Sequence, residues 1–567
     1  MTNSPSCSVA AIPAGKSGAR SRFPAILSRL VWLFGSKRTF VSALLVLASL
    51  SLLALALQIP RGLGCSDEAW YLVLARDGMA GNGSVWTRIF GFVPDSVTAW
   101  RTLSAAVRIV SGPLFCLALL RLSGVKPSGT RRIALSAAAV LAADPSPVFA
   151  ASYYNLNGLL FAVALCLSTV PAESGWRGPA SAFAAGMALF FLLPVFPTNF
   201  PPCLAAILAV MYLPGFRSTP RFIAFAAGLA AGAALFFSCF MTVSEYAGMI
   251  RSVAGGAGGA GTHGLKNIAF WIEKSGIHLC FRIVLPAAAM FLSMSVFRSR
   301  VPAGLAVPAA AAALAAGSLF AAAMPFYDFI NGFESRLPAD FPWIAAVFLA
   351  LASSRSRSVG DMAFLVAVAA IPVVLSFGTA VPLGSRARIY VWPLAFAAFA
   401  KAESSAAGRK AAVLRASFLL LVAVSALFAF RQHTGSWILL ERNFFLPRTR
   451  DAETGLLLSR PFSDNVAKCR EAGLGGAVVQ PLSRNDWRYV FALGATPVSY
   501  DFECESFDPA KAPAMAENGG ACFIVAPARS GTGFPRAGGG SSPSEAVPVL
   551  SFSDIDGSRR VYRIEKK

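Results

Sequence analysis

Long apolar runs bounded by charged residues, proline and glycine repeat along the first three quarters of the chain. Because a bilayer core about 30 Å thick needs about 20 apolar residues in a straight helix, each run predicts a membrane span. We expect thirteen spans, near residues 40–60, 103–121, 133–150, 154–171, 180–195, 200–214, 222–242, 279–297, 303–324, 341–353, 360–380, 389–402 and 413–430. The third and tenth are the weakest predictions, since Pro145 and Pro147 interrupt the third and the tenth is short.

The pattern changes after residue 430. Short β-like runs, GAVVQ at 476–480 and ACFIVAP at 521–527, alternate there with turn-rich or helical segments, which is typical of a small α/β domain. The fold class we expect is an α-helical polytopic membrane protein with a small extracytoplasmic α/β domain. Its predicted parts are a basic tail at 1–38, a membrane domain at 39–430 with a first outer loop at 61–102, and a soluble domain at 431–567.

Composition agrees with a membrane protein, since 56% of the residues are hydrophobic and 14% are charged. The net charge of +22 belongs to the membrane part, because acids and bases nearly balance after residue 430. This distribution argues against nucleic acid as a partner and leaves membrane lipids as the expected one. Lys and Arg are concentrated in the N-terminal tail and the even-numbered loops, so the positive-inside rule places the N-terminus in the cytoplasm.

Thirteen spans then place residues 431–567 on the outer, periplasmic face of the cytoplasmic (inner) membrane. A competing interpretation takes the basic tail, the first apolar run and the letters ALA at 54–56 as a cleaved signal peptide. The 38-residue tail is long for such a peptide, so we favour an uncleaved anchor.

The cysteines show no CxxC or Cys/His ligand spacing, which argues against a structural zinc site. Cys469, Cys504 and Cys522 fall in the region expected to be exported, where one disulfide could form. We prefer the pair Cys504–Cys522, but three cysteines leave the pairing open.

Two adjacent acids, Asp67 and Glu68, stand where the first apolar run has ended, in the segment GCSDEAWYLVLARDG at 64–78. The spacing of Trp70, Tyr71 and Leu74 predicts a helix lying along the membrane interface with its aromatic residues at headgroup depth. The acids could form part of a site on the outer face. They could equally favour the positive N-terminus of that helix, with Ser66 as its N-cap.

A third acid, Asp144 in AADPSPVFAASYYN, is expected at the same depth after the third span. Its neighbourhood is apolar, and an ionised group there costs roughly 2.5–3.5 kcal/mol on insertion scales, so a functional role is the first expectation. The alternative is a turn acid placed before Pro145.

These two segments carry a resemblance to a known family. A first outer loop opening with SDEAWY, and a short proline-containing loop with an acid followed by SYYNLNGLLFA at the fourth span, resemble the GT-C class of membrane glycosyltransferases. Bacterial relatives of the protein O-mannosyltransferases and of the aminoarabinose transferase are the most similar. The resemblance implies transfer of a sugar, with inversion, from a polyprenyl-phosphate donor to a lipid, polysaccharide or protein acceptor on the outer face.

The resemblance also implies roles for the acids. Asp67 would be the general base that removes the proton of the acceptor hydroxyl, a contribution of typically 10² to 10⁴ in rate. Glu68 would orient the acceptor or share a divalent cation, Mg²⁺ or Mn²⁺, and Asp144 would be the second acid of the site. No other cofactor is expected. The substrate contacts expected from the two motifs are Tyr71, Tyr153 and Asn155.

The leaving phosphate needs a cation. Arg386 and Arg388 are the best pair in the outer loops, since an arginine fork matches phosphate bidentately, although they could instead anchor the twelfth span at the headgroups. Arg282 is a weaker candidate, as are Lys274 and His278 before it.

Relatives often carry a basic residue in the loop after the fifth span. This chain has LPVFPTNFPP there, so Asn199 could contribute only a neutral hydrogen bond. The following outer loop, at 243–278, holds the glycine-rich stretch GGAGGAGTHG, which predicts either a flexible linker or a lid over the substrate.

Two other functions stay open. A transporter or lipid flippase would place charges in the spans, facing a cavity at the middle of the membrane. A polysaccharide polymerase or ligase would have related chemistry but usually carries its arginines in a large outer loop.

Overall fold

The computed structural model describes residues 35–63, 67–78, 85–94, 96–126, 128–142, 150–256, 272–297, 333–354, 358–377, 383, 390–435, 447–481, 486–497, 522–527, 546–554 and 557–564. Most of this chain is helical. The helices of the membrane part are α1 (Lys37–Gln58), α2 (Asp67–Arg76), α3 (Val85–Ile89), α4 (Val97–Leu122), α5 (Gly129–Ala142), α6 (Tyr153–Ser168), α7 (Arg177–Val195), α8 (Phe200–Tyr212), α9 (Thr219–Cys239), α10 (Val243–Gly256), α11 (Leu285–Phe297), α12 (Phe333–Ser353), α13 (Val359–Ser376), α14 (Val391–Ser404) and α15 (Gly408–Gly435). A 3-10 turn, Pro197–Asn199, precedes α8, and a π-helical segment, His278–Val284, leads into α11.

Within the described residues, six helical segments are long and apolar enough to cross a membrane: Lys37–Gln58, Val97–Leu122, Arg177–Val195, Thr219–Cys239, Ile272–Leu292 and Val359–Ser376. The protein is therefore a multi-pass helical membrane protein. Every predicted span that falls in the described residues overlaps one of the helices, and the ninth, at 303–324, lies outside them. The count of thirteen stays a prediction, because helices such as α5 and α8 are only about 20 Å long.

Helix α14 forms the centre of the bundle. Its residues from Val391 to Lys401 are all buried, as expected of a helix that is apolar on every side. Phe399 lies between Phe40 of α1 and Phe418 of α15, with ring centroids 5.1 and 4.3 Å away. Because α14 is enclosed by other helices, its sides meet protein and not lipid.

Helices α7 and α9 pack through glycines. A side chain at Gly228 would collide with the backbone carbonyl of Phe183, and one at Gly186 would collide with that of Phe225. Lipid tails provide no hydrophobic driving force for helix association, so close backbone approach at small residues is the usual basis of contact.

The C-terminal region contains helices and two small sheets, as the α/β prediction requires. Its elements are β1 (Arg448–Arg450), β2 (Leu457–Ser459), α16 (Arg460–Glu471), β3 (Val478–Pro481), α17 (Trp487–Ala492), β4 (Thr496–Pro497), β5 (Cys522–Pro527), β6 (Ala546–Asp554) and β7 (Gly557–Ile564). β1 and β2 form an antiparallel pair, and the larger sheet has the order β4-β3-β5-β7-β6. β3 is parallel to β4 and β5, whereas β7 is antiparallel to β5 and β6. The two sequence runs that predicted strands coincide with β3 and β5.

The C-terminal region and the first outer loop share one hydrophobic core. Tyr71, Leu72 and Trp86 of the loop pack in the same buried cluster as Phe462 and Trp487 of the C-terminal region. Contact this close requires both parts to lie on the same side of the membrane, and hence an even number of crossings between them. The predicted topology places twelve spans there, which satisfies this condition, and which side they occupy stays a prediction.

Candidate functional site

The predicted site residue Glu68 lies in a fully buried ion pair. Helix α2 begins at Asp67, and Glu68 follows with no exposed surface. The Nε of Arg101 donates to Oε1 of Glu68 at 2.9 Å and its Nη2 donates to Oε2 at 3.1 Å. Both carboxylate oxygens thus face a cation, which is the condition under which a charge is tolerated inside a protein. This geometry favours a positioning role for Glu68 over contact with an acceptor or a metal.

Arg101 is a residue that the sequence interpretation missed. Its Nη1 also donates to the carbonyls of Ile59 and Arg61, at 2.7 and 2.9 Å, and its Nη2 donates to the carbonyl of Gly62. One guanidinium therefore joins the end of α1, the start of α2 and the first turns of α4. The sequence did contain one indication of this role. Arg101 stands in the same predicted outer loop as Glu68, near the start of the next predicted span.

Asp67 and Asp144 are the two acids on which the predicted catalytic site depends. The backbone of Asp67 opens α2, but its side chain lies outside the described residues, as do Asp144, Arg386 and Arg388. Whether the two carboxylates meet stays a prediction. The position of α2 is nevertheless fixed by the ion pair of its second residue.

The aromatic side of the predicted interfacial helix is covered by protein and does not face the headgroups, and this is a correction. Tyr71 and Leu74 are buried, together with Leu72 and Val73 between them. The spacing identified a helix correctly, but the soluble region covers it, so its apolar side meets protein instead of lipid.

Tyr71 and Tyr153, two predicted substrate contacts, belong to an aromatic cluster. Their ring centroids are 5.8 Å apart in an edge-to-face arrangement, and Tyr71 makes a similar contact with Trp86 at 5.7 Å. Tyr153 in turn lies 5.2 Å from Phe196. Such pairs are worth roughly 0.5–1.5 kcal/mol each beyond their buried area. The cluster thereby ties together three loops at this end of the bundle, and Tyr153 keeps some exposed surface.

Asn155 and Asn199 are both engaged in internal hydrogen bonds. The Oδ1 of Asn155 accepts from the amide of Ser152 at 3.1 Å, and its Nδ2 donates to Oγ of Ser104 at 3.1 Å. The Nδ2 of Asn199 donates to the carbonyl of Leu375 at 2.9 Å, and the residue has no exposed surface. Their role as substrate contacts stays a prediction, and the observed bonds join helices.

A polar stripe follows one side of α4. Arg101, Ser104, Arg108 and Ser111 recur at helical spacing, and all four are buried. Arg108 stands two turns beyond Arg101, which corresponds to about 10 Å along the helix. It lines a small cavity between α4, α6 and α14 whose other walls include Tyr154, Asn155 and Tyr390. The sequence interpretation assigned no role to Arg108.

The predicted candidate Arg282 lies in a second charged cluster. His278 Nε2 is 3.0 Å from Oδ1 of Asp340, and Nη1 of Arg282 is 3.9 Å from Oδ2 of the same carboxylate. The ring of His278 stacks on Trp343 at 6.3 Å. All of these side chains are buried or nearly so. Asp340 was missed in the sequence, where it stands only as an isolated acid before the tenth predicted span.

Metal binding and the disulfide have no support yet. Among the residues that the structure describes, no group of three or more His, Cys, Asp or Glu side chains could hold a metal ion. Cys469 is buried in α16. Cys504 lies outside the described residues, so the predicted Cys504–Cys522 bond stays a prediction.

Comparison with known proteins adds nothing to this geometry. No protein-family model matches the chain, and no curated protein matches it significantly. The functional assignment therefore depends on the residues themselves.

Proposed function

We propose that the protein is an inverting glycosyltransferase that moves a sugar from a polyprenyl-phosphate donor to a lipid, polysaccharide or protein acceptor. The reaction takes place on the outer face of the cytoplasmic membrane, where the first outer loop and the C-terminal domain meet. The observation that carries the proposal is the buried Glu68–Arg101 pair, which fixes the helix opened by Asp67 at this junction.

The anchoring pair explains why two acids stand side by side. Glu68 is neutralised by Arg101 and holds the helix, so it leaves the preceding Asp67 as the acid available for chemistry. Position matters because a general base acts only within hydrogen-bond reach of the proton that it removes. A helix held by a buried bidentate pair supplies that precision.

In the proposed step, the acceptor oxygen attacks the anomeric carbon while the carbon–oxygen bond to the phosphate breaks. The hydroxyl proton passes to the carboxylate of Asp67, and the electron pair of the broken bond leaves with the polyprenyl phosphate. Attack from the side opposite the phosphate inverts the anomeric carbon. The departing phosphate is already an anion, so it needs a cation nearby more than it needs a proton.

Arg108, which lines the small cavity between α4, α6 and α14, is a candidate for such a cation. Arg108 is buried there beside Tyr154 and Asn155, within the part of α4 that continues into the membrane. We therefore add Arg108 to the predicted phosphate ligands Arg386 and Arg388.

The test is transfer of labelled sugar in proteoliposomes that contain the purified protein. Undecaprenyl phosphates carrying mannose, arabinose or aminoarabinose are the donors, and a lipid and polysaccharide extract of the host envelope supplies acceptors. We expect Asp67→Asn to lower transfer by roughly 10² to 10⁴ without loss of fold, because the amide cannot accept the proton.

The matched control is Glu245→Gln, an exposed acid that caps α10 by accepting from Thr242. Its transfer rate should equal that of the wild type. Unchanged transfer by Asp67→Asn would remove the base from the mechanism, and no transfer by the wild type from any of the three donors would refute the function.

A lipid flippase is the second candidate, because His278 and Arg282, which pair with Asp340, are charged or titratable groups within a candidate span. The same proteoliposomes separate the two functions. A flippase would move a fluorescent polyprenyl phosphate between leaflets without breaking the bond to the sugar.

A further inference from the structure

Helix α2 is attached to the C-terminal domain just before it begins. The amide of Gly62 donates to the carbonyl of Leu457 at 2.9 Å, and the amide of Leu457 donates to the carbonyl of Pro60 at 2.8 Å. Arg61 thereby forms a parallel bridge with Leu457 of β2. A strand of the domain thus holds the segment that leads from α1 into α2.

The same helix is attached to the domain again where it ends. Nη2 of Arg76, its last residue, donates to the carbonyl of Ala495 at 2.6 Å. Nε of Arg76 donates to Oδ1 of Asp77 at 2.7 Å, which orients the guanidinium. Between the two attachments α2 packs against α17 of the domain.

The attachment at the start of α2 is linked to the Glu68–Arg101 ion pair through Arg101. Arg101 donates to the carbonyls of Arg61 and Gly62, the segment that bridges to Leu457, and also binds Glu68. Hydrogen bonds therefore run without a break from β2 to the second residue of α2. Movement of the domain would be transmitted to Asp67 through this segment from one side and through Arg76 from the other.

We propose that the C-terminal domain is a working part of the outer-face site, because its docking sets the position of Asp67, and that Arg76 is the positioning residue of this contact. The catalytic consequence rests on the proposed function. The mechanical part, that Arg76 holds α2 in place, does not.

Hydrogen exchange with the full-length protein in lipid nanodiscs tests the mechanical part. We expect Arg76→Gln to raise exchange in peptides covering residues 67–78, because the helix loses its bond to Ala495. Exchange in α4 should stay as in the wild type. Arg76→Lys should restore the low exchange, since an ammonium can donate the single bond that the carbonyl of Ala495 accepts.

The matched control is Arg88→Gln in the same outer loop. Nη1 of Arg88 also donates to a backbone carbonyl, that of Phe240 at 2.9 Å, but this partner belongs to the membrane bundle. Exchange at 67–78 should be unchanged in this variant. If Arg76→Gln also raises exchange in peptides within 447–481, the domain itself has been disturbed. Exchange at 67–78 in the Arg76→Lys protein then decides whether Arg76 holds α2.

Transfer kinetics test the catalytic part. Arg76→Gln should lower kcat roughly 10- to 100-fold while KM for the labelled donor stays unchanged, because misplacing a reacting group impairs the chemical step. Arg76→Lys should recover kcat.

The outcomes separate the two proposals. Equal exchange at 67–78 in the wild type and Arg76→Gln, or no rescue by Arg76→Lys, overturns the positioning role. Raised exchange at 67–78 with wild-type kcat overturns the catalytic part, since α2 would then move without any effect on transfer. A wild type that transfers no sugar refutes the function, while the exchange result still decides whether Arg76 holds α2.

Discussion

Two contacts between helices in this protein are built on opposite principles. Helices α7 and α9 meet backbone to backbone at Gly186 and Gly228. Helices α2 and α4 meet through Glu68 and Arg101, both without exposed surface. The first contact lies within the bundle, and the second lies where the bundle meets the C-terminal region.

The difference shows what each environment permits. Lipid tails cannot drive apolar surfaces together, so at these two glycines α7 and α9 gain their contact from close backbone packing. At the junction, the end of α1 and the residues that follow it leave backbone carbonyls in a protein interior, and Arg101 satisfies three of them while neutralising an acid. A packed contact tolerates small changes in volume poorly, whereas an ionic contact fails when one partner is lost.

The largest effect is expected at the ionic contact. Arg101→Gln leaves the buried carboxylate of Glu68 without its cation, which should lower the free energy of unfolding by about 3–5 kcal/mol. Unfolding in mixed micelles with increasing dodecyl sulfate, followed by tryptophan fluorescence, measures the loss.

Two further variants decide whether charge is the cause. The double variant Glu68→Gln with Arg101→Gln should recover part of the loss, because no uncompensated charge is buried. Arg88→Gln breaks an exposed pair with Glu245 and should cost at most about 1 kcal/mol. An equal loss in the double and single variants would show that the carbonyl bonds, and not the ion pair, hold the junction.

The next effect concerns activity at the same polar stripe. Arg108→Gln keeps a hydrogen-bond donor but removes the charge that the proposed phosphate site needs. Sugar transfer from the labelled donor should fall roughly 10²- to 10³-fold, as when one donor of an anion site is removed.

Ser111→Ala is the control for this prediction. Ser111 lines the same cavity, but its hydroxyl is used by the carbonyl of Val107 at 2.6 Å, so its loss should leave transfer unchanged. Wild-type transfer by Arg108→Gln would show that the cavity does not receive the donor phosphate.

The packed contact should respond to a single added methyl group. Gly228→Ala forces α7 and α9 apart, because its side chain would meet the backbone carbonyl of Phe183, which cannot move independently. We expect a loss of about 1–3 kcal/mol in the same unfolding assay. Gly248→Ala in α10 meets open space, so it should cost nothing, and an equal loss at both positions would contradict the packing argument.

Much of the architecture followed from the sequence, because hydrophobic runs and helical spacing are local. The predicted spans that fall in the described residues coincide with helices, and the two β-like runs became β3 and β5. The surroundings of α2 were predicted wrongly. Trp70, Tyr71 and Leu74 indicated a helix correctly, but nothing local distinguishes a side covered by lipid from one covered by a domain almost 400 residues farther along the chain.

The candidate site shows the same limit. The two adjacent acids identified Glu68 as a candidate. That Arg101 is its partner follows only from the tertiary fold, which brings together the end of α1, the start of α2 and the first turns of α4. Asp340 was missed for the same reason, since its partners His278 and Arg282 lie about 60 residues earlier. Sequence spacing identifies chemistry along one helix, whereas ion pairs between elements depend on the tertiary fold.

The smallest effect is expected in the soluble domain near the junction, at Asp451. Burial opposes ionisation of this carboxyl, but hydrogen bonds from Arg470 and Thr454 outweigh it and hold the pKa below its ordinary value of 3.8. A carboxyl whose pKa is lower in the folded state stabilises the fold above pH 3.8, and this contribution disappears as the pH falls through the folded-state pKa. Asp451→Asn should therefore cost about 1 kcal/mol at pH 7 and progressively less below pH 3.8. Melting temperatures of the wild type and the variant, measured from pH 7 to pH 3, should converge at the acid end, and a constant difference would show that Asp451 acts through packing instead of charge.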